Sequence, residues 1–316
     1  MKHLESALHQ ENQGWKYFLV FFVALFLGES LGGIPLLMAM AIGMTKKGEN
    51  FEMPENIADF SAYGIDPNLG LALMVIPFIV SLLIAVQLIK GFHRRSFMEV
   101  INGGGAFRWN RFWKGFAMWA FFSAILLALA LLFNPGNFEF KFHLSSFVPL
   151  VLVSVLLIPF QAGTEEFFFR GYLAQGVGAW THNRLPVVLL PALVFALTHS
   201  FNPEVKEFGF WETMPGYLLI GILLGVLSVL DDGIEMAIGT HSANNIFASL
   251  FITSKSSVLQ TPALFTQKEV DPGSEFWGLL VVSILFVLIV SYKSRWDFKL
   301  LFEAIQKKEQ SVQETA

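Results

Sequence analysis

Six ionisable or amide side chains lie within or beside long apolar stretches of the sequence. They are Glu165, Glu166, Arg170, His199, His241 and Asn245. Charged groups in hydrocarbon are costly unless they pair or reach water, so such groups at membrane depth indicate a functional site. Carboxylate, imidazole and amide groups are the types that bind or activate water and stabilise an oxyanion. The combination predicts a site inside a membrane that can bind or activate water.

Helical spacing assigns different tasks to the two adjacent carboxylates. At about 100° per residue, Glu166 and Arg170 lie one turn apart on one face, where an i, i+4 ion pair can form. Glu165 points about a quarter-turn away from that face. We therefore expect one carboxylate held by arginine and one free to act on water. His241 and Asn245 share a face by the same spacing.

Two chemistries stay open from the residues alone. Glu165, His199 and His241 could hold a divalent metal such as zinc and leave one position for water. Without a metal, Glu165 could serve as a general base and Asn245 could donate to a developing oxyanion. Each group also has a structural interpretation, because a single membrane histidine can be a hydrogen-bonded packing residue and a lone ion pair can be a brace.

The composition predicts an integral membrane protein. The 316 residues are 54% hydrophobic and 15% charged, with 34 phenylalanines and a mean hydropathy of +0.57. Soluble domains carry about 25% charged residues. The absence of cysteine excludes disulfides, thiolate metal sites and a cysteine nucleophile. The polar first fourteen residues and the long apolar run after them indicate a retained segment and not a cleaved signal.

The apolar runs predict an all-α polytopic fold with about eight transmembrane helices. The expected spans are about 17–44, 69–89, 116–133, 146 into the Glu165 stretch, 185–198, 216–230, 234–252 and 276–292. Basic residues after the second span, before the third and after the eighth place both termini in the cytoplasm. A kink is expected near Pro35. Glu29, also in the first span, should be paired, close to an interface or facing the cavity.

The predicted domains are a short interfacial amphipathic segment at 1–14, one transmembrane domain at 15–300 and a polar cytoplasmic tail at 301–316. The motif-bearing core covers about 145–250. Basic and aromatic residues around 90–114 indicate a membrane interface and not a nucleic-acid surface. The expected partners are the lipid bilayer and a peptide or protein substrate, with no nucleic acid.

The predicted spans place the candidate residues at different depths in the membrane. Glu165 and His241 fall toward the cytoplasmic ends of their spans, whereas His199 falls toward the outer end of the fifth span. A tilted fifth helix or a longer fourth helix would remove this difference in depth.

Taken in order, the polar stretches resemble the EExxxR, FxxxH and HxxxN motifs of the CPBP family of intramembrane proteases. This family includes the CAAX prenyl proteases and bacteriocin-processing or self-immunity proteins. The matching residues are Glu165, Glu166 and Arg170, then Phe195 and His199, then His241 and Asn245, without departure from the motifs. The HExxH helix of familiar zinc proteases is absent from the sequence.

The resemblance implies peptide-bond hydrolysis in a water-filled cavity within the bilayer. Glu165 and His199 would activate the water, and His241 and Asn245 would form the oxyanion-stabilising or metal-binding side. Glu166 and Arg170 would have supporting roles. The resemblance leaves open whether the mechanism is of the glutamate type or depends on a metal.

Two other classes of function remain as alternatives. One is a non-catalytic peptide-binding or bacteriocin self-immunity membrane protein, which would use the polar cluster for recognition alone. The other is a transporter, against which the two halves contain no repeated pair of broken helices. Whether the protein is a protease, a binding protein or a transporter, we expect a multi-pass protein of the bacterial cytoplasmic membrane. The sequence predicts neither the substrate and its prenylation nor the oligomeric state.

Overall fold

The computed structural model of the protein describes residues 3–9 and 12–306. Helices dominate this part of the chain, which confirms the all-α fold class. The α-helices are α1 Gly14–Gly32, α2 Ile34–Lys47, α3 Pro67–His93, α4 Phe97–Asn102, α5 Trp109–Phe133, α6 Leu144–Glu166, α7 Ala174–Thr181, α8 Arg184–Thr198, α9 Pro203–Phe208, α10 Phe210–Leu230, α11 Glu235–Phe251 and α12 Pro272–Ser294. A π-helical segment, Phe167–Leu173, joins α6 to α7.

Six helical stretches of the described chain are long and apolar enough to cross a membrane. They are Gly14–Asn50, Pro67–His93, Trp109–Phe133, Leu144–Thr181, Phe210–Leu230 and Pro272–Ser294. The apolar helix α8 is shorter, with 15 residues. These stretches confirm a polytopic membrane protein. The count of eight spans and the cytoplasmic position of the termini stay predictions.

The first predicted span is broken where its sequence indicates a kink. Helix α1 ends at Gly32, and α2 begins at Ile34 with Pro35 in its first turn. Proline is tolerated there because the first N–H groups of a helix have no partner within the helix. Gly33 keeps helical dihedral angles, and the two helices together form the apolar stretch Gly14–Asn50.

Helix α11 lies at the centre of the bundle, enclosed by protein. It packs against α5, α6 and α10. Thr240, His241 and Ser242, at its middle, are all buried. Polar side chains are tolerated at membrane depth where they face protein instead of lipid. This enclosure explains why the helix that carries the third motif is less apolar than the outer helices.

Two glycines allow α5 and α11 to approach closely. A Cβ built on Gly239 would lie 2.0 Å from the carbonyl oxygen of Phe112, and one on Gly115 would lie 2.4 Å from the carbonyl oxygen of Met236. Small residues at helix crossings let membrane helices pack backbone to backbone. This contact fixes the helix position two residues before His241.

A small sheet covers one end of the bundle. Its strands are β1 Phe138–Phe140, β2 Ile252–Thr253 and β3 Phe265–Gln267, in the order β1-β3-β2. Strand β3 pairs antiparallel with β1 and parallel with β2. The sheet ties the α5–α6 connection to the α11–α12 connection. Runs of two or three residues are too short for periodicity to predict, so the sequence indicated only loops there.

Both described ends of the chain pack at one end of the bundle. Leu4 and Ile305 are buried in one apolar cluster with Val177 and Val187. The backbone N–H of Ile305 also donates to the carbonyl of His182. The predicted tail is therefore anchored up to residue 306, and 307–316 lie outside the described residues. The interfacial position of 1–14 and the cytoplasmic position of the tail stay predictions; of 1–14, residues 1, 2, 10 and 11 lie outside the described residues.

Burial makes the docking of the amino-terminal segment sensitive to pH. Desolvation lowers the pKa of His3 from 6.5 to about 4, so the docked imidazole is neutral. Below pH 6.5 the released segment binds a proton that the docked one does not, so docking weakens as the pH falls toward 4. From pH 7.5 to pH 5 we expect a loss of about 2 kcal/mol. Hydrogen exchange at residues 3–9, corrected for intrinsic rates, should accelerate accordingly. In His3→Asn that pH dependence should disappear; an unchanged dependence would assign it to another group.

A Cβ at position 239 should separate α5 from α11. Gly239→Ala would force backbone atoms apart, and overpacking of this kind costs about 1–3 kcal/mol. We expect a lower midpoint of thermal unfolding in detergent, measured by size-exclusion chromatography after heating. The matched control is Gly91→Ala in α3, where a Cβ meets nothing within 4 Å. Equal stability of the two variants would contradict the close crossing.

Candidate active site

The helical run Leu144–Thr181 continues through the π-helical segment without interruption. Glu165 therefore lies in the interior of this run and not at a helix end. His199 follows the last residue of the short helix α8. The longer fourth helix, one of the two arrangements that the sequence allowed, is thus present. Phe169 in this run packs against Phe195 of the second motif, with 5.3 Å between ring centroids.

A buried ion pair connects the first motif to the third. The Arg170 guanidinium donates to Glu166 Oε1 over 2.8 Å, and the second guanidinium nitrogen donates to the Gly221 carbonyl over 3.1 Å. Glu166 Oε1 also lies 2.8 Å from Nδ1 of His241. Both charged side chains are at most 1% exposed. The expected i, i+4 pair is present, and its carboxylate also holds the imidazole.

Glu165 lies beside this pair with one oxygen uncommitted. Its Oε2 is 3.4 Å from Nε2 of His241. The same oxygen is buried and makes no hydrogen bond to any described residue. The two carboxylates thus occupy the different environments that helical spacing predicted.

A backbone carbonyl fixes the orientation of His199. Nδ1 lies 2.7 Å from the carbonyl oxygen of Phe195. Since a carbonyl can only accept, Nδ1 carries the proton in the neutral ring and Nε2 has its lone pair available. The ring stacks on Tyr217 with 4.4 Å between centroids. In this tautomer, Nε2 of His199 can accept a proton.

The aromatic residue of the second motif lies between the histidines. The Phe195 ring is 4.5 Å from the His199 ring and 6.0 Å from the His241 ring, centroid to centroid. The guanidinium carbon of Arg170 lies 4.4 Å from the same centroid. Phe195 is buried. One ring thereby packs against groups from all three motifs, which gives a physical reason for phenylalanine at this position.

Asn245 belongs to a chain of amides. Its Nδ2 donates to Oε1 of Gln161 over 2.9 Å, and its Oδ1 accepts from Asn244 over 3.0 Å. The indole N–H of Trp119 donates to Asn244 Oδ1 over 3.1 Å. The chain fixes which amide atom is nitrogen, and a second N–H of Asn245 remains for another acceptor.

Two elements of the site were missed by sequence reasoning. Gln161 had a signal, since it lies one turn before Glu165 in the same apolar run. Tyr217 had none, because an aromatic residue in an apolar helix is ordinary. Its hydroxyl accepts from Asn202 over 2.7 Å and donates to Glu204, and these contacts come from the loop after α8 and from α9.

The three residues expected to share a metal ion do not form a ligand set. Among residues 3–9 and 12–306, no group of three histidine, aspartate or glutamate side chains is arranged to hold one. Glu165 and His241 are neighbours, and Nδ1 is engaged in both histidines, by Glu166 in His241 and by a carbonyl in His199, which leaves Nε2 as the available ring nitrogen. The zinc site that the sequence left open stays a prediction.

Together, the fold and the site define a class: a polytopic helical membrane protein in which the buried Glu166, Arg170 and His241 lie beside the partly buried Glu165, His199 and Asn245. Sequence comparison finds a family that part of the chain resembles. The model of the Rce1-like family, described as type II CAAX prenyl endopeptidases, matches residues 144–247. These residues include all three motifs. The segment is similar to that protease family, and the recognition of CPBP intramembrane proteases from the motifs is confirmed.

The likeness to another protein extends well beyond the motif region. The protein YyaK of Bacillus subtilis (strain 168), described as uncharacterized, is 28% identical over 278 residues. The matched region covers 87% of this chain and 90% of YyaK. No solved structure matches the chain.

Replacing Arg170 should lower the stability of the protein, because the buried Glu166 carboxylate then loses its positively charged partner. Arg170→Met leaves Glu166 charged and buried with only His241 beside it, and breaking such pairs costs about 3–5 kcal/mol. We expect a corresponding loss of thermal stability in detergent. The matched control is Arg170→Met combined with Glu166→Gln, which removes the orphaned charge and should recover most of that loss. Equal stability of the single variant and the wild type would show that the pair is not a brace.

Proposed function

We propose that the protein is an intramembrane endopeptidase that hydrolyses a peptide bond in a membrane-associated peptide or protein. The observation that carries this proposal is the buried, uncommitted Oε2 of Glu165, 3.4 Å from Nε2 of His241. A carboxylate oxygen without a donor beside an oriented imidazole is suited to accept a proton from water. The family of residues 144–247 supports the same class of reaction.

The reaction begins with activation of water by Glu165, assisted by Nε2 of His199. Glu165 takes a proton as the water oxygen bonds to the carbonyl carbon of the substrate. The carbonyl oxygen becomes an oxyanion, which accepts hydrogen bonds from Asn245 and from protonated His241. When the tetrahedral intermediate collapses, the C–N bond breaks and Glu165 returns the proton to the leaving amine. The products are a carboxylic acid and an amine, and transfer of the acid proton to the amine then gives a carboxylate and an ammonium group.

Glu166 and Arg170 act in this scheme as positioning residues. Arg170 neutralises Glu166, and Glu166 in turn fixes Nδ1 of His241. With Nδ1 held, Nε2 of His241 is directed at the reacting groups. An imidazole oriented by a carboxylate also bears positive charge at lower cost, as in other hydrolytic sites.

We propose the glutamate-type mechanism over the metal-dependent one, because the described side chains offer a proton acceptor and oxyanion donors but no three-residue metal-ligand set. The proposed location is a bacterial cytoplasmic membrane, in line with the similarity to a Bacillus subtilis protein. Prenylation of the substrate is not part of the proposal.

Cleavage should depend on Glu165 and His199. In purified protein in lipid nanodiscs, with a membrane-associated peptide library and mass-spectrometric readout, Glu165→Gln and His199→Ala should each lower hydrolysis by about 10²–10⁴-fold, the usual contribution of a general base. The matched control, Glu207→Gln, changes an exposed glutamate of α9 and should hydrolyse like the wild type.

Three outcomes of this experiment decide between the alternatives. Unchanged hydrolysis in both variants would remove the proposed roles. Absence of hydrolysis by the wild type, with biological activity that survives Glu165→Gln, would favour a peptide-binding or self-immunity protein. Loss of hydrolysis on chelation, restored by zinc and matched by stoichiometric metal in the purified protein, would favour the metal-dependent mechanism.

A further inference from the structure

An open cavity of about 360 Å³ lies beside the candidate active site. Its wall includes Tyr217 and Ile220 from α10, Asn244 from α11 and Leu279 from α12. Residues from the β2 and β3 strands also contribute. Pockets for small ligands measure about 300–1,000 Å³, so this cavity has room for a few side chains but not for a folded domain.

Two residues of the wall contact proposed catalytic residues directly. Tyr217 stacks on His199, and Asn244 donates a hydrogen bond to Asn245. The cavity therefore begins where the reacting bond would lie and extends toward the end of the bundle covered by the sheet. A peptide with its scissile carbonyl between Glu165 and Asn245 would place neighbouring residues there.

The charge of the cavity wall is of one sign. Glu204, Glu212 and Glu275 line it, and its described lining contains no lysine, arginine or histidine. Oε2 of Glu204 is buried and makes no hydrogen bond to a described residue. The Glu204 and Glu275 carboxylates also repel each other. A cationic ligand would relieve that repulsion and give the buried oxygen a donor.

The rest of the wall suits an aliphatic stem. Phe208, Ile220 and Leu279 contribute apolar surface between the carboxylates. Lysine and arginine side chains combine a hydrocarbon stem with a charged head, so they match a wall of this composition. A bare divalent cation matches it less well, because no three acidic side chains of the described chain converge on one point.

We infer that this cavity is the subsite for a substrate residue close to the scissile bond, and that it selects lysine or arginine. The inference rests on the proposed endopeptidase function, since it assigns a substrate class to the same site. Glu204, Glu212 and Glu275 provide the attraction, and the apolar wall holds the stem. Because Glu212 and Glu275 are exposed and screened by salt, the preference is modest and falls with ionic strength.

The first test is the cleavage profile of the wild type. An N-palmitoylated peptide library, randomised over a short segment and embedded in nanodiscs, is digested and the products are sequenced by mass spectrometry. We expect lysine and arginine to be enriched about threefold to tenfold at one fixed position from the cleaved bond. Glu212→Gln combined with Glu275→Gln should lower this enrichment, because only Glu204 of the three carboxylates keeps its charge, and Glu207→Gln should retain it. Cleavage without a basic preference in the wild type would overturn the inference.

The second test measures binding and does not need hydrolysis. Glu165→Gln in nanodiscs is titrated with an N-palmitoylated lysine peptide and its norleucine counterpart, which differ only in the charged head. We expect the lysine peptide to bind about threefold to tenfold more tightly at low salt, and the advantage to shrink when Glu212→Gln and Glu275→Gln are added. Equal binding of the two peptides would overturn the inference. If the wild type cleaves no peptide but the lysine advantage persists, the subsite stands and the endopeptidase function fails.

Discussion

The site depends on one carboxylate oxygen that holds two partners. Oε1 of Glu166 accepts from Arg170 and contacts Nδ1 of His241, which joins the fourth span to the central helix α11. An isolated carboxylate with no exposure to solvent would be too costly to keep ionised. The Arg170 guanidinium stabilises the charge of Glu166, and the Glu166 carboxylate in turn fixes the orientation of the His241 imidazole. The second nitrogen of the guanidinium reaches the Gly221 carbonyl, so α10 is held by the same pair.

The packing of α11 follows from this constraint. A helix with buried threonine, histidine and serine side chains is stable at membrane depth only if protein surrounds it. The close crossing at Gly115 and Gly239 lets α5 cover one side, and α6 covers another. Phe195 fills the space between the two histidines. The polar centre is therefore enclosed by apolar side chains that belong to all three motif helices and their neighbours.

Much of this architecture could be predicted from the sequence, for physical reasons. Long apolar runs have few possible structures in a bilayer, so the helical class and most helix positions follow from hydropathy. The pair Glu166 and Arg170 follows from helical spacing alone. Contacts between distant segments could not be derived in this way: the stacking of Tyr217 on His199 depends on how α8 and α10 cross, and the two- and three-residue strands carry no periodic signal. The end of the fourth helix was also open in the sequence, because no helix-breaking residue marks it, and the structure continues this helix to Thr181.

The π-helical segment Phe167–Leu173 sets the rotation between the first motif and the helix that follows it. A π turn accommodates one residue more than an α turn, and such turns occur often at functional sites. If the same residues formed a regular α-helix, everything beyond them would be rotated by roughly 100°. Gln175, which bonds to Arg95 and to the backbone of His3, would then face another direction. The π turn thus holds an extra residue and still lets one continuous helical run present the active-site carboxylates and the amino-terminal docking surface to their partners.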